Sequence, residues 1–277
     1  MRELEATPAT LLAGAVRSDG SRVLLTFYDD ATGERAELSV ATFANWVAKT
    51  ANLCRDDLGL DVGAHVAIAL PLHWQAAVWW QVCWESGFVG VPAAAGGALP
   101  ACDVVVVPLD GVDGVSTLTS SDTTAIGDVV GLGLGPMGLP VPGRAVPTAV
   151  TVDYDREVHA HGDRFAPPGG LSAASAALAS PAGVRSAGEL ARLAAAEAQR
   201  WALSAGDRIL LAAPYGEERT LLAGLLVPLA VGGSAVLCRH LDLLDDEALA
   251  RRIHAEGVTA VTPDAPRFHA LQTRDLE

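Results

Sequence analysis

The clearest fold signal in the chain runs from His65 to Val91 and reads HVAIALPLHWQAAVWWQVCWESGFVGV. Its first six residues form a short apolar strand pattern that ends at Pro71. The segment from His73 to Ser86 is apolar on almost every side, which predicts a helix buried on more than one face, and Gly87 ends it. A strand, a helix and a second strand with short links predict a right-handed crossover and therefore a parallel sheet.

The same alternation of strand and helix patterns extends toward both ends of the chain. Residues 22–29 and 35–38 predict a β-hairpin, and Ser39 is expected to cap a helix that runs to about Leu58. Beyond Ser186 the predicted helices and strands alternate again, over 190–201, 208–212, 217–231, 234–237, 245–256, 258–262 and a last short helix at 264–271. These patterns predict an α/β fold in which mostly parallel sheets are flanked by helices.

The middle of the chain interrupts this alternation. Residues 109–147 are rich in Gly, Ser, Thr and Pro and have little periodicity, so loops and short strands are expected there. The run PPGG at 167–170 marks a boundary. The sequence therefore predicts a first βα subdomain over 1–110, an irregular Gly/Pro-rich connection over 111–177 and a second βα subdomain over 178–277.

Charge and composition exclude several classes of function. The 33 acidic and 19 basic residues give a net charge of −14, which argues against a nucleic-acid surface or an anionic-membrane binder. The first twenty residues lack the layout of a secretory signal, and the longest apolar run, at 220–238, is broken by Pro228. We therefore expect a cytoplasmic protein without membrane contact. Four well-separated cysteines fit core positions in a reducing compartment: Cys54, Cys83, Cys102 and Cys238.

Three weaker patterns each have a functional and a structural interpretation. The run GLGPMG at 133–138 has the glycine spacing of a dinucleotide-binding loop, but LPVP at 139–142 cannot begin the helix that such a loop needs, so a surface loop is favoured. His159 and His161 lie among acidic residues without a third metal ligand, so a solvated loop is favoured and no metal is expected. The tryptophans of residues 74–84 are expected in the core or in a subunit interface rather than on a binding face.

Three further stretches, in order along the chain, resemble the adenylate-forming superfamily of acyl-CoA synthetases, luciferases and peptide-synthetase adenylation domains. They are LSVATF at 38–43, the pair 63–71 and 84–92, and the pair 203–214 and 224–233. The last pair is similar to the strand and helix that come after the family's phosphate loop. The likeness covers most of residues 22–107 and 178–271, and it implies the N-terminal half of an adenylate-forming enzyme.

The segment that corresponds to the phosphate loop departs from the family. In the family a Ser/Thr/Gly-rich loop that ends Pro-Lys-Gly surrounds the ATP phosphates with backbone amides, hydroxyls and a lysine. Here the matching segment is ASPAGVRSAG at 179–188, in which only Ser180 and Gly188 agree with the family pattern. Ala187 stands where the lysine is expected, and Pro181 removes one backbone donor.

A degenerate nucleotide-contact region therefore remains as the candidate site. Arg185 would replace the lost charge with a planar guanidinium group, whereas the single lysine, Lys49, lies in the first predicted helix and cannot stand in. The family's later motifs, which supply the adenine pocket and the catalytic lysine, have no counterpart before Glu277, so no catalytic residue is assigned. Weak ATP or AMP binding is the most that we expect, at the candidate residues Ser180, Gly183, Arg185, Gly188 and Tyr215.

These departures predict a shortened domain, similar to an adenylate-forming enzyme but without catalysis, that binds a partner protein or a small acyl or nucleotide ligand. The alternative is one half of a split AMP-forming acyl ligase that a second chain completes. Half of this fold would leave apolar surface that has to be covered. Either hypothesis therefore implies self-association or a larger synthetase as partner.

Overall fold

The computed structural model describes residues 5–94, 100–109, 126–262 and 274–276. Its helices are α1 (Pro8–Asp19), α2 (Val40–Asp56), α3 (Trp74–Ser86), α4 (Tyr154–Glu157), α5 (Ala187–Arg200), α6 (Glu218–Leu221), α7 (Val227–Val231) and α8 (Asp246–Glu256). Its strands are β1 (Val23–Asp29), β2 (Glu34–Ser39), β3 (His65–Ile68), β4 (Val89–Pro92), β5 (Cys102–Pro108), β6 (Ile126–Leu132), β7 (Val152–Asp153), β8 (Ala176–Ser180), β9 (Gly183–Ser186), β10 (Arg208–Leu211), β11 (Ser234–Arg239), β12 (Ala260–Val261) and β13 (Arg274–Asp275).

The first of two compact units contains residues 1–9, 44–71 and 75–189. Its described strands form a seven-stranded sheet in the order β7-β6-β5-β3-β4-β8-β9. These strands pair in parallel except at the β8–β9 hairpin. The predicted parallel pairing of β3 with β4 is confirmed, and it places His65 opposite Val89.

Helix α3 lies in the core, as its apolar sequence predicts. Trp79 and Trp80 are fully buried, and the Trp84 indole N–H donates to the Ala177 carbonyl at 3.2 Å. The Trp80 ring covers Gly90 so closely that a Cβ atom at Gly90 would lie 2.4 Å from it. The interpretation of these tryptophans as core residues is confirmed, because burial removes their rings from any exposed binding face.

The second compact unit contains residues 10–43, 72–74 and 190–277. Its described strands form a six-stranded sheet in the order β13-β12-β10-β11-β1-β2. The predicted hairpin is confirmed as the antiparallel β1–β2 pair, and the other strands of this sheet pair in parallel. Helix α8 packs Leu249 and Ile253 against Leu210 and Val236 of the sheet.

Several helices begin and end where capping residues in the sequence predict. The Thr42 amide donates to Ser39 Oγ at 3.1 Å, so Ser39 caps α2 as predicted. Asp245 caps α8 in the same way through the Ala248 amide at 2.7 Å, and Gly257 ends that helix with a φ of 61°. The helix expected at 264–271 lies outside the described residues. Within the described residues, the helices are too short or too polar to cross a lipid bilayer.

The middle of the chain is more regular than its composition suggests. Residues 109–147, expected to hold loops and short strands, include the seven-residue β6, which pairs with β5 over six residues. Gly127 lies against the Asp103 carbonyl oxygen, which a Cβ atom would approach to 2.2 Å. Glycine at this position allows the two strands to approach closely. In a sequence, however, glycine counts against the prediction of a strand.

Glu85 on α3 supplies a pH-dependent contribution to stability. Its carboxylate accepts a hydrogen bond from Gln81 Nε2 at 3.2 Å, and the same amide donates to the Pro8 carbonyl at 3.1 Å. Burial raises the pKa of Glu85 from 4.5 to about 7, against the opposing effect of the Gln81 hydrogen bond. The folded state therefore holds this proton more tightly than the unfolded chain, and the free energy of unfolding should fall as pH rises from 4.5 to 7.

We expect Glu85→Gln to remove this pH dependence, because the glutamine oxygen still accepts from Gln81 and carries no charge. At pH 8 the variant should be more stable than the unmodified chain by about 3 kcal/mol, and near pH 4 the two should agree. Urea unfolding at both pH values measures the difference. Glu247→Gln, at a side chain that is 84% exposed, is the matched control and should leave the pH dependence unchanged.

Candidate functional site

The segment at 179–188, which the sequence resemblance matches to a phosphate loop, contains a tight hairpin turn. Strands β8 and β9 pair as far as Ser180 and Gly183, which leaves Pro181 and Ala182 as the turn. Ser180 Oγ accepts from the Ala182 amide at 3.3 Å and donates to the Gly183 carbonyl at 3.4 Å. The turn therefore uses its own hydroxyl internally, and Pro181 has no amide proton to offer. Arg185 lies further along on β9 and is partly exposed.

At the start of α5, the helix after this hairpin, the first backbone amides already have acceptors within the chain. The amide of Gly188 donates to the Ala173 carbonyl at 2.8 Å, and the amide of Ala187 donates to the Ser175 carbonyl at 2.9 Å. The first amides of a helix are the donors that bind phosphate groups in many proteins. In α5 two of these donors bind carbonyl oxygens of the preceding segment, and Gly188 is buried.

A reciprocal cap completes the N-terminus of α5. The Glu189 amide donates to Ser186 Oγ at 3.3 Å, while Glu189 Oε2 accepts from both the amide and the hydroxyl of Ser186, at 2.7 and 2.8 Å. This is a capping box, in which the carboxylate also interacts favourably with the helix dipole. A negative charge of the chain's own therefore lies where a phosphate would be attracted.

Tyr215 belongs to the second compact unit, whereas the other four candidate residues belong to the first. It is 4% exposed, and its hydroxyl donates to the Gly224 carbonyl at 3.2 Å. Gly224 lies in the π-helical turn Leu222–Leu226, four residues before Pro228. Pro228 has no amide proton to donate to that carbonyl, and the Tyr215 hydroxyl donates to it instead. Burial raises the pKa of the Tyr215 phenol.

The structure thus brings only some of the candidate residues together. Ser180 and Gly183 share one turn, Arg185 and Gly188 lie on the next strand and helix, and Tyr215 supports a helix in the other unit. Their assignment to a nucleotide site stays a prediction. The Ser180 hydroxyl, the first two amides of α5 and the Tyr215 hydroxyl all form hydrogen bonds within the chain.

The two histidines considered as metal ligands have separate partners. His159 Nε2 lies 3.0 Å from the Gly138 carbonyl, and His161 Nε2 lies 2.8 Å from Asp57 Oδ2. Lys49 Nζ donates to the His161 carbonyl at 2.6 Å, so the single lysine fastens this segment to α2. Among the residues that the structure describes, His, Cys, Asp and Glu form no group of three or more that could hold a metal ion.

Asp155, one of the acidic residues beside the two histidines for which the sequence favours a solvated loop, is buried. It is 1% exposed, and its Oδ2 accepts from the Gly133 amide at 2.7 Å. Burial raises its pKa to about 6, although the Gly133 hydrogen bond opposes that rise. In the sequence Asp155 belongs to a charged run that is typical of a solvated loop. The only signal against that interpretation is the aromatic Tyr154 beside it, which is also fully buried.

Comparison with known proteins identifies the family. No family model matches the chain. Over 264 residues it is 39% identical to a protein of Mycobacterium tuberculosis described as a TIGR03089 family protein, and the match covers 92% of this chain and 99% of that protein. The chain belongs to the TIGR03089 family.

The fold of this TIGR03089 family member is similar to about half of a solved acyl-CoA synthetase. Among solved structures it matches the acyl-CoA synthetase of Brucella canis with a TM-score of 0.76 at 18% sequence identity. The match covers 96% of this chain and 48% of the synthetase, so the chain spans about half the length of that protein. The predicted fold class and the predicted resemblance to adenylate-forming enzymes are both confirmed at the level of the fold.

The close packing of Tyr215 on the π-helical turn predicts the effect of a single methyl group. A Cβ atom at Gly224 would lie 2.6 Å from Leu211 Cδ2 and 2.8 Å from Tyr215 Cε1. We expect Gly224→Ala to lower the free energy of unfolding by about 1–3 kcal/mol, because a filled core has to shift. Gly216→Ala is the matched control, since a Cβ there meets nothing within 4 Å. Equal stability of the two variants in urea unfolding would contradict the packing described.

Proposed function

We propose that this TIGR03089 family member is a non-catalytic relative of the adenylate-forming enzymes that acts by binding a partner protein or a small acyl or nucleotide ligand. The observation that carries the proposal is the occupied start of α5. Its first amides bind the carbonyls of Ala173 and Ser175, and the Glu189 carboxylate completes the cap. A triphosphate at this place would have to displace three of the chain's own bonds and approach a carboxylate.

The energetic cost supports the same conclusion. Each lost contact that would stabilise the developing charge typically lowers the reaction rate by a factor of about 10² or more. The two-residue turn at Pro181 and Ala182 offers no cradle of amides, and position 187 is alanine rather than lysine. These losses act together on the charge that develops when a carboxylate attacks the α-phosphorus of ATP and pyrophosphate leaves. We infer that adenylation by this chain alone is abolished, while the folded sheets and helices keep a binding role available.

ATP–pyrophosphate exchange tests the absence of catalysis. With a panel of carboxylic acids, the purified chain should give exchange at the rate of the protein-free blank, whereas an active acyl-CoA synthetase serves as the positive control. The expected deficit relative to that control is about 10⁴-fold or more, from at least two lost contacts. Acid-dependent exchange that is abolished by Arg185→Ala would refute the proposal, since the loss would locate the activity in this chain.

Calorimetry separates the two kinds of binding role. ATP, AMP and a non-hydrolysable acyl-adenylate analogue are titrated into the chain and into Arg185→Ala. Heat that is lost in the variant assigns a small-ligand role to the hairpin, because Arg185 is the cation nearest the turn in sequence. An absence of heat with all three compounds excludes the nucleotide role and leaves a partner protein or an acyl ligand without a nucleotide.

A second candidate function is one half of a split AMP-forming acyl ligase. The observation that favours it is the coverage of 48% of the synthetase chain by 96% of this one. A second polypeptide would then supply the remaining half and its cationic groups. Acid-dependent exchange by a mixture of the two polypeptides, with none by either alone, would support this candidate. Purification from the native host without a synthetase-like companion would count against it.

A further inference from the structure

We propose that the turn at residues 134–139 is a preformed docking element that inserts its apolar side chains into a basic-rimmed apolar pocket of a partner protein. This inference rests on the proposed binding role and names the surface that would carry it. The turn comes after β6 in the first compact unit and contains most of the glycine motif GLGPMG at 133–138, which that proposed function leaves unexplained.

The turn is fixed at both of its ends. The Gly133 amide donates to the buried Asp155 carboxylate at 2.7 Å, and the Gly133 carbonyl accepts from Arg144. At the other end, the Gly138 carbonyl lies 3.0 Å from His159 Nε2. A segment held in this way is already ordered before a partner arrives, and the entropy lost on binding is correspondingly smaller.

The glycines of the motif are explained by close packing within this turn. A Cβ atom at Gly135 would lie 2.7 Å from the Leu139 carbonyl oxygen. Gly138 has a φ of +65°, and a Cβ there would lie 2.8 Å from the Trp46 ring. The described residues 139–151 contain no helix to receive a pyrophosphate. The glycine spacing therefore builds a compact turn and not a dinucleotide loop.

The exposed part of the turn is apolar and conformationally strained. Met137 is 73% exposed and Leu139 is 52% exposed. Leu134 and Met137 have φ values of 50° and 57°, a region that residues other than glycine seldom occupy. Strain of this kind persists where the surrounding structure imposes it, and it is concentrated at functional positions. A strained turn that presents two large apolar side chains to solvent therefore points to recognition.

Charge identifies the kind of partner. The chain carries a net charge of −14, while residues 129–143 contain no charged side chain. A second copy would bring the same negative charge, and anionic lipid would repel it too. A partner protein with an apolar pocket and lysine or arginine at its rim matches the uncharged turn and the net negative charge of the whole chain.

The composition of the chain permits a specific test. It has two methionines, Met1 and Met137, so photo-reactive methionine places a diazirine on the turn without any substitution. The labelled chain is irradiated in an extract of its native host, and Met137→Leu, which keeps the label at Met1 alone, is the control. We expect an adduct with a second protein in the labelled chain and none in the control.

The captured protein is then produced separately and its affinity for the unlabelled chain is measured. Met137→Asp and Leu139→Asp should each weaken binding at least tenfold, whereas Val62→Asp, at another exposed apolar residue of the same unit, should leave it unchanged. Affinity should also fall as salt is raised. Circular dichroism of all three variants verifies that they fold alike.

Several results would overturn the inference: no adduct that depends on Met137, an adduct of two copies of this chain, an adduct with lipid, or an affinity that the two turn substitutions leave intact. Its failure is distinguishable from failure of the proposed function. The exchange assay decides whether the chain is catalytic, and the crosslinking and affinity measurements decide whether this turn is the docking surface.

Discussion

The amides that begin a helix need acceptors, and at the start of α5 the chain supplies these acceptors itself. Ala173 and Ser175 provide two carbonyls, and the Ser186–Glu189 box provides the rest. These bonds stabilise the helix and remove the donors that an anion would need. The hydrogen bonds that complete this helix start therefore leave its first amides without capacity to bind another acceptor.

A fold and a phosphate site place different requirements on a sequence. A parallel sheet that is buried on both faces requires only apolar strands, with small residues where backbones come close. Many sequences meet that requirement, which is why 18% identity to a synthetase accompanies a TM-score of 0.76. A phosphate site requires a few specific hydrogen-bond donors at fixed positions. Substitution of two or three of these donors is enough to abolish phosphate binding.

The sequence predicted those parts of the fold that depend on local chemistry. The β3–α3–β4 unit, the β1–β2 hairpin and the Ser39 cap result from apolar periodicity, turn residues and a capping hydroxyl. It could not predict that Ala173 and Ser175 cap α5, since backbone carbonyls leave no pattern in side chains. Nor could it predict β6, where glycines that permit close strand contact also weaken the strand signal.

Burial of polar groups was the other property that local patterns did not reveal. Asp155 lies in a charged run of the sequence, and only the tertiary structure brings its carboxylate to the Gly133 amide. Tyr215 and Gly224 are nine residues apart, and the hydroxyl donates to a carbonyl for which Pro228 has no amide proton. In both cases a buried polar atom completes the hydrogen bonding of an irregular backbone segment. Two irregular segments of this fold, the turn after β6 and the π-helical turn before α7, are therefore held in part by side chains from other segments of the chain.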